Sequence, residues 1–147
     1  MSSNLKRERL LSGGIQVVAL TFMQDNVAAS QTDVQLPVAE VASAAGNAGV
    51  GYCMPWAGTI IGISATLSAA GSAGTLTVGA TIGGTEAADP TLSITTETEK
   101  SDTALRETAA FDADDVIGAE ITTDGSWNGT SSDLVVTVWV MLEVTGV

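Results

Sequence analysis

The clearest pattern in the chain lies at its end, where Leu134, Val136, Val138, Val140, Leu142 and Val144 fill every even position with an apolar side chain. A period of two puts one side of an extended segment against a core, so this stretch predicts a long strand. Its odd positions include Val135, Trp139 and Met141. They are too apolar for a solvated face and call for a second layer or a partner subunit. Trp139, in mid-strand, is assigned to the core. Residues 15–23 are nearly continuous in apolar character, the pattern of a strand buried on both sides. Val34, Leu36 and Val38 alternate through Pro37, which suits an edge strand because proline cannot donate to a ladder. Thr59, Ile61, Ile63, Ala65 and Leu67 form one inward row, and Leu76, Val78, Ala80 and Ile82 form another. These two segments are read as a hairpin turning through residues 69–74, with Gly83-Gly84 closing the second strand by adopting positive φ.

Further along, Leu92 and Ile94 open a strand, residues 95–102 are a polar loop, residues 104–109 a short strand, and residues 116–121 another. Asp124-Gly125 and Asn128-Gly129 mark turns. Residues 42–51, rich in Ala and Gly, read as a loop, with a short helix over residues 38–45 as the alternative. About eight or more short strands with no long helices between them predict an all-β fold. The expected architecture is an antiparallel β-sandwich, jelly-roll-like, with an extended N-terminal arm. The expected division is an arm with an apolar strand at 1–35 and the sandwich at 36–147.

Composition sharpens this picture. The 147 residues suit one domain, and 45% hydrophobic but only 4% aromatic content means a core of Val, Ile, Leu and Ala. The net charge is −12, yet Lys6, Arg7 and Arg9 gather near the start, leaving the rest with only Lys100 and Arg106 against nearly all the acids. A body so acidic is unsuited to nucleic acid, since phosphate contacts need cations. Its acidity serves solubility and self-avoidance, and the basic tip suits an acidic patch on a neighbouring subunit. Basic, apolar and small residues follow one another over residues 6–29 in the manner of a signal peptide. Gln16 and Thr21 interrupt the apolar part and Gly13-Gly14 open it, so a strand is expected there. No run approaches the roughly eighteen apolar residues of a membrane span. Cys53 is the single cysteine, so no disulfide can form within the chain, and its apolar neighbours suggest a buried small hydrophobe.

Candidate chemistry is sparse. Asp112-Ala113-Asp114-Asp115 offers oxygens to calcium, but Val116 and Ile117 stand where an EF-hand needs a ligand and a glycine, so a turn is expected. Asn128-Gly129-Thr130 fits a glycosylation sequon and, better, a hairpin turn. The glycines of residues 46–51 and 79–84 fit neither a dinucleotide fingerprint nor a phosphate loop. Glu97 and Glu99 would share a strand face, a geometry compatible with the paired carboxylates of glycoside hydrolysis, but aromatics to stack a substrate are few. With no histidine, the commonest general base and transition-metal ligand is missing. No catalytic, cofactor-binding or metal-ligating residue is assigned, and the chain is not read as an enzyme. Of the three tryptophans, Trp127, in a glycine-rich loop, is the expected surface contact, with Trp56 beside it as a candidate.

One segment carries a resemblance. Tyr52-Cys53-Met54-Pro55-Trp56-Ala57-Gly58-Thr59-Ile60-Ile61 runs an aromatic and Met-Pro-Trp into a Gly-Thr turn and then into alternating strands. This resembles the opening of head decoration (cement) proteins of tailed bacteriophages, and the likeness in strand and turn texture extends over residues 50–145. The resemblance implies a structural virion protein on the outer surface of the capsid. Its partners would be the major capsid protein and itself, as a homo-oligomer, typically a trimer, with no nucleic acid and no membrane. It implies an N-terminal arm reaching a neighbour, which makes Lys6, Arg7, Arg9, Ile15, Val17, Val18, Leu20 and Phe22 candidate contacts together with Trp56 and Trp127. A tail, fibre or cell-surface carbohydrate-binding (adhesin-like) module is the competing reading, and it would depend on Tyr52, Trp56 and Trp127.

Overall fold

A computed structural model describes residues 15–38 and 51–144, which form two antiparallel sheets packed face to face, with no helix among the described residues. The strands are β1 (Ile15–Gln24), β2 (Val34–Gln35), β3 (Tyr52–Cys53), β4 (Gly58–Leu67), β5 (Leu76–Ile82), β6 (Thr85–Ile94), β7 (Glu99–Thr103), β8 (Ala110–Phe111), β9 (Val116–Thr123) and β10 (Leu134–Glu143). Sheet A runs β1-β10-β4-β7, with β8 also on β4; sheet B runs β2-β9-β5-β6, with β3 also on β9. The all-β sandwich expected from the sequence is therefore the fold. The helix considered for residues 38–45 lies almost wholly outside the described residues.

The core lies between the sheets. From sheet A come Leu20 and Phe22 of β1, Ile60, Ile63, Ala65 and Leu67 of β4, and the whole even row of β10. From sheet B come Leu76, Val78, Ala80, Leu92, Ile94, Ile117, Ala119 and Ile121. At about 25 cal/mol per Å², burying each Val, Leu, Ile or Phe among them contributes roughly 1.5–3 kcal/mol, with few aromatics needed. Phe22 and Tyr52 meet edge to face at a centroid distance of 5.5 Å across one flank. Leu36 and Pro37 tie the sheets together there: the Leu36 N–H donates to Ala119 O and the Met23 N–H donates to Pro37 O.

Several expectations are corrected. β4 and β5 do not form a hairpin; they belong to opposite sheets, because both inward rows must reach one shared core. The hairpin is β5–β6, closed by Gly83 and Gly84 at φ +59° and +80°, as their freedom suggested. The inward row of β4 also changes phase. Trp139 faces Gly62 but Val140 faces Ile60, so Ile61 is a bulge residue turned outward. Thr59 is buried from the outside instead, under the 105–109 turn, where its Oγ1 accepts from the Glu107 N–H at 3.2 Å. Part of the mixed-charge loop is edge strand β7, which polarity concealed because most of its side chains face solvent. Residues 104–109 form a turn. Finally, β1 is not a detached arm nor buried on both sides: it pairs along its whole length with β10 and shows Val17 and Ala19 to solvent. Residues 15–35 are thus part of the sandwich, while residues 1–14 lie outside the described residues.

Candidate functional site

The two sheets present very different outer faces. On sheet A, cross-strand pairing assembles rows from β1, β10 and β4: Ala19 beside Trp139 beside Gly62, Thr21 beside Thr137 beside Ser64, and Met23 beside Val135 beside Thr66. None of these side chains is charged. Trp139, in mid-sheet, is 41% exposed and Val17, on the edge strand, 58%, large values for apolar side chains. Small neighbours keep the indole accessible, since Ala19 and Gly62 flank it. Its Nε1–H points to Ser64 Oγ at 3.5 Å. Beside it opens a groove of about 270 Å³ whose walls include Val17, the bulged Ile61, Gly62 and Asp102.

On sheet B the outer face is polar. Thr81 Oγ1–H donates to Gln35 Oε1, and Gln35 Nε2–H donates to Glu120 Oε2. The Glu86 side chain lies over Gly79, in the space a Cβ there would fill. Burial raises the Glu120 pKa above its usual 4.5, and the charges of Glu86 and Asp33 push the same way. Elsewhere Glu97 shows the opposite effect. Backbone amides, that of Thr95 foremost, and Lys100 hold it down to about 2. Glu97 lies in the turn before β7, while Glu99 begins that strand, so the two carboxylates do not share a strand.

The residues chosen from the sequence scatter over this frame. Lys6, Arg7 and Arg9 lie outside the described residues, and Ile15 is described only as the first position of β1. Val17 stands on the outer face of sheet A and Val18 is half-buried, but Leu20 and Phe22 are core residues. Trp56 is half-buried against the core. Trp127, expected at the surface, is 2% exposed, and its Nε1–H donates to Val27 O at 3.1 Å. It plugs the end of the sandwich where the loops after β1, β4 and β9 meet. Trp139, expected in the core, is the exposed tryptophan. The signal for it was present: once even positions of β10 fill the core, odd ones must face away. Cys53, expected buried, is exposed. The aspartate cluster is a turn, as expected: the Asp112 N–H donates to Asp115 Oδ2 at 2.8 Å.

Among the described residues the outer face of sheet A is the strongest candidate for a contact surface, and no group of acids and cysteine is placed to hold a metal ion. Compared with protein-family models and with curated proteins, the chain matches none.

Proposed function

We propose that the chain is a non-catalytic structural module, a capsid decoration (cement) protein that binds the outside of mature tailed-phage heads and stabilises them. The observation that carries this reading is the outer face of sheet A, whose central rows carry no charge around the exposed Trp139, on a chain of net charge −12. Exposed aromatic anchors amid apolar neighbours are what contact surfaces use, because their desolvation supplies most of the binding energy. The strand order supports the jelly-roll arrangement that the resemblance implies, with first, last and middle strands interleaved across two four-strand paths. Partners are the major capsid protein and further copies of the chain. The segment with Lys6, Arg7 and Arg9 adds a basic contact to an acidic neighbour. Binding the assembled shell in preference to free subunits stabilises the shell by mass action, and many weak contacts act together through effective concentration.

Co-sedimentation with mature and unexpanded phage heads tests the proposal. The expected outcome is saturable occupancy of mature heads only, weakened by Trp139→Ser and by removal of residues 1–14. Absence of binding to either form refutes it. One observation favours a second reading, a carbohydrate-binding module: the exposed Trp139 indole beside Ser101, Asp102 and Thr103 offers a stacking surface with polar groups at its rim. Glycan-array hits abolished by Trp139→Ser would replace the capsid reading with that one.

A further inference from the structure

Every open sheet has edges, and an edge displays unpaired N–H and C=O groups to which another chain can add. In this sandwich the edges are guarded unequally. β7 carries Glu99, Lys100 and Asp102; β6 carries Glu86, Asp89 and Pro90. β2, β3 and β8 are two residues each. β1 is the exception: ten residues, Ile15-Gln16-Val17-Val18-Ala19-Leu20-Thr21-Phe22-Met23-Gln24, with no charge, no proline and no glycine, at the edge of sheet A. No charge, proline or glycine within the strand itself blunts this edge.

The backbone shows how much of that edge is open. Neighbouring residues of a strand point their backbone groups to opposite sides. The Met23 N–H reaches Pro37 O at 3.0 Å, and Thr21 O accepts from the Tyr52 hydroxyl at 3.3 Å. Odd residues of β1 therefore face the outer edge, and its Thr21–Met23 end is already occupied. The open window is residues 15–19, where among the described residues nothing pairs with the N–H and C=O of Val17 and Ala19.

We propose that this window pairs with the same window of a second copy, antiparallel about a two-fold axis at Val17, joining two sheets A into one continuous sheet. Self-pairing is the occupant the edge itself selects. Antiparallel addition of identical segments is self-complementary, with Val17 opposite Val17 and Ile15 opposite Ala19, and each odd residue meets an odd residue whose groups face it. An uncharged edge also lets two copies of net charge −12 approach where their charged edges would repel. The pairing brings the two apolar outer faces side by side on one surface, which suits a flat assembled partner. So short a ladder buries less than a standard interface, so the free dimer is weak, with Kd on the order of micromolar or above. The inference deepens the self-association part of the proposed function, rests on that part alone, and replaces a three-fold assembly with a two-fold one.

Sedimentation velocity across a concentration series, combined with amide hydrogen exchange of the full chain, tests it. The expected result is reversible growth from 14.8 kDa to twice that mass. Protection of the Val17 and Ala19 amides should rise with concentration while that of Met23, already bonded to Pro37 O, stays constant. Val17→Lys, which brings two ammonium groups together at the axis, should weaken association by about tenfold or more without lowering the melting temperature. Ala19→Lys is the second variant, should the first fail to fold. A chain that stays monomeric to roughly 1 mM, a trimer, or a dimer indifferent to both substitutions overturns the pairing. Head binding separates the two proposals: dimers that ignore heads leave the pairing standing and remove the capsid reading, and full head occupancy by an unsubstituted chain that stays monomeric to roughly 1 mM does the reverse.

Discussion

Trp127 and Trp139 are the same side chain put to opposite uses. Trp127 sits in a loop of turn-forming residues and is sealed at 2% exposure, with Gly71, Gly74 and Gly129 packed against it and its indole N–H bonded to Val27 O. Trp139 sits in the middle of the longest apolar strand pattern and is 41% exposed, with only a long contact to Ser64. Local texture argues the reverse for both. What decides exposure is the layer: the loops over one end of the sandwich must close a gap between sheets, whereas an odd position on β10 faces away from the core. A buried tryptophan is therefore expected to govern folding, and an exposed one association.

The largest test of that contrast is Trp127→Ala. It removes the plug where three loops converge and leaves Val27 O without its donor, so unfolding in urea should lose about 3–5 kcal/mol. Such a loss is a large share of a small domain's stability. A loss under about 1 kcal/mol would mean that the corner is looser than its packing indicates. Next comes Gly74→Ala. Gly74 holds φ +81°, and a Cβ there would collide with the Trp127 backbone. Strained backbone plus collision should cost about 1–3 kcal/mol, measured the same way. Gly83→Ala is the control, since nothing lies near its Cβ and only the positive φ opposes it.

These positions also show what the sequence made legible. The even row of β10 and the Leu76–Ala80 row could be read directly, because period two is a property of the chain alone. Partnership of strands could not. β4 and β5 are adjacent in sequence and each has an apolar side, which fits a hairpin as well as two facing sheets; only the shared core distinguishes them. Ile61 was misplaced because a bulge adds one residue and inverts the pattern beyond it. β7 was missed because an edge strand with two solvated sides has no apolar alternation to detect. On the outer face of sheet A, the apolar run around Val17 makes it a candidate without showing which way it points, and Trp139 reads inward because an apolar residue among apolar residues reads as core.

A smaller test uses the face that is polar, where ordinary solvation should rule. Glu120 has its pKa raised above 4.5 by burial and by Glu86 and Asp33, so the folded state holds its proton more tightly than the unfolded one. Its contribution to stability is then fully present below 4.5 and is lost as pH rises through the folded value. Glu120→Gln removes the charge while keeping an acceptor for Gln35. It should raise the urea midpoint at pH 7, by less than Gly74→Ala lowers it, and the gain should vanish in acid. Glu97 has the opposite sign. Held near 2 by backbone amides, it contributes above 4.5 and loses that contribution as pH falls toward 2. A Glu120→Gln gain that persists unchanged in acid would show that crowding of charge on sheet B is not its source.

The smallest expected effect on folding is the most informative. Trp139→Ser removes the largest exposed side chain of sheet A, yet its neighbours Ala19 and Gly62 make few demands on it, and its hydrogen bond to Ser64 is long at 3.5 Å. Stability should change by no more than about 0.5 kcal/mol, the range of ordinary surface substitutions. Truncating a central aromatic in a contact surface, by contrast, typically costs 2 kcal/mol or more of binding, roughly thirtyfold in affinity. Measured on the same protein, urea unfolding and occupancy of phage heads should therefore diverge: the first flat, the second sharply reduced. Loss of both together would make Trp139 a folding residue like Trp127, and the distinction between the sealed corner and the open face would fall. Loss of neither would leave the apolar face of sheet A without a partner that uses it.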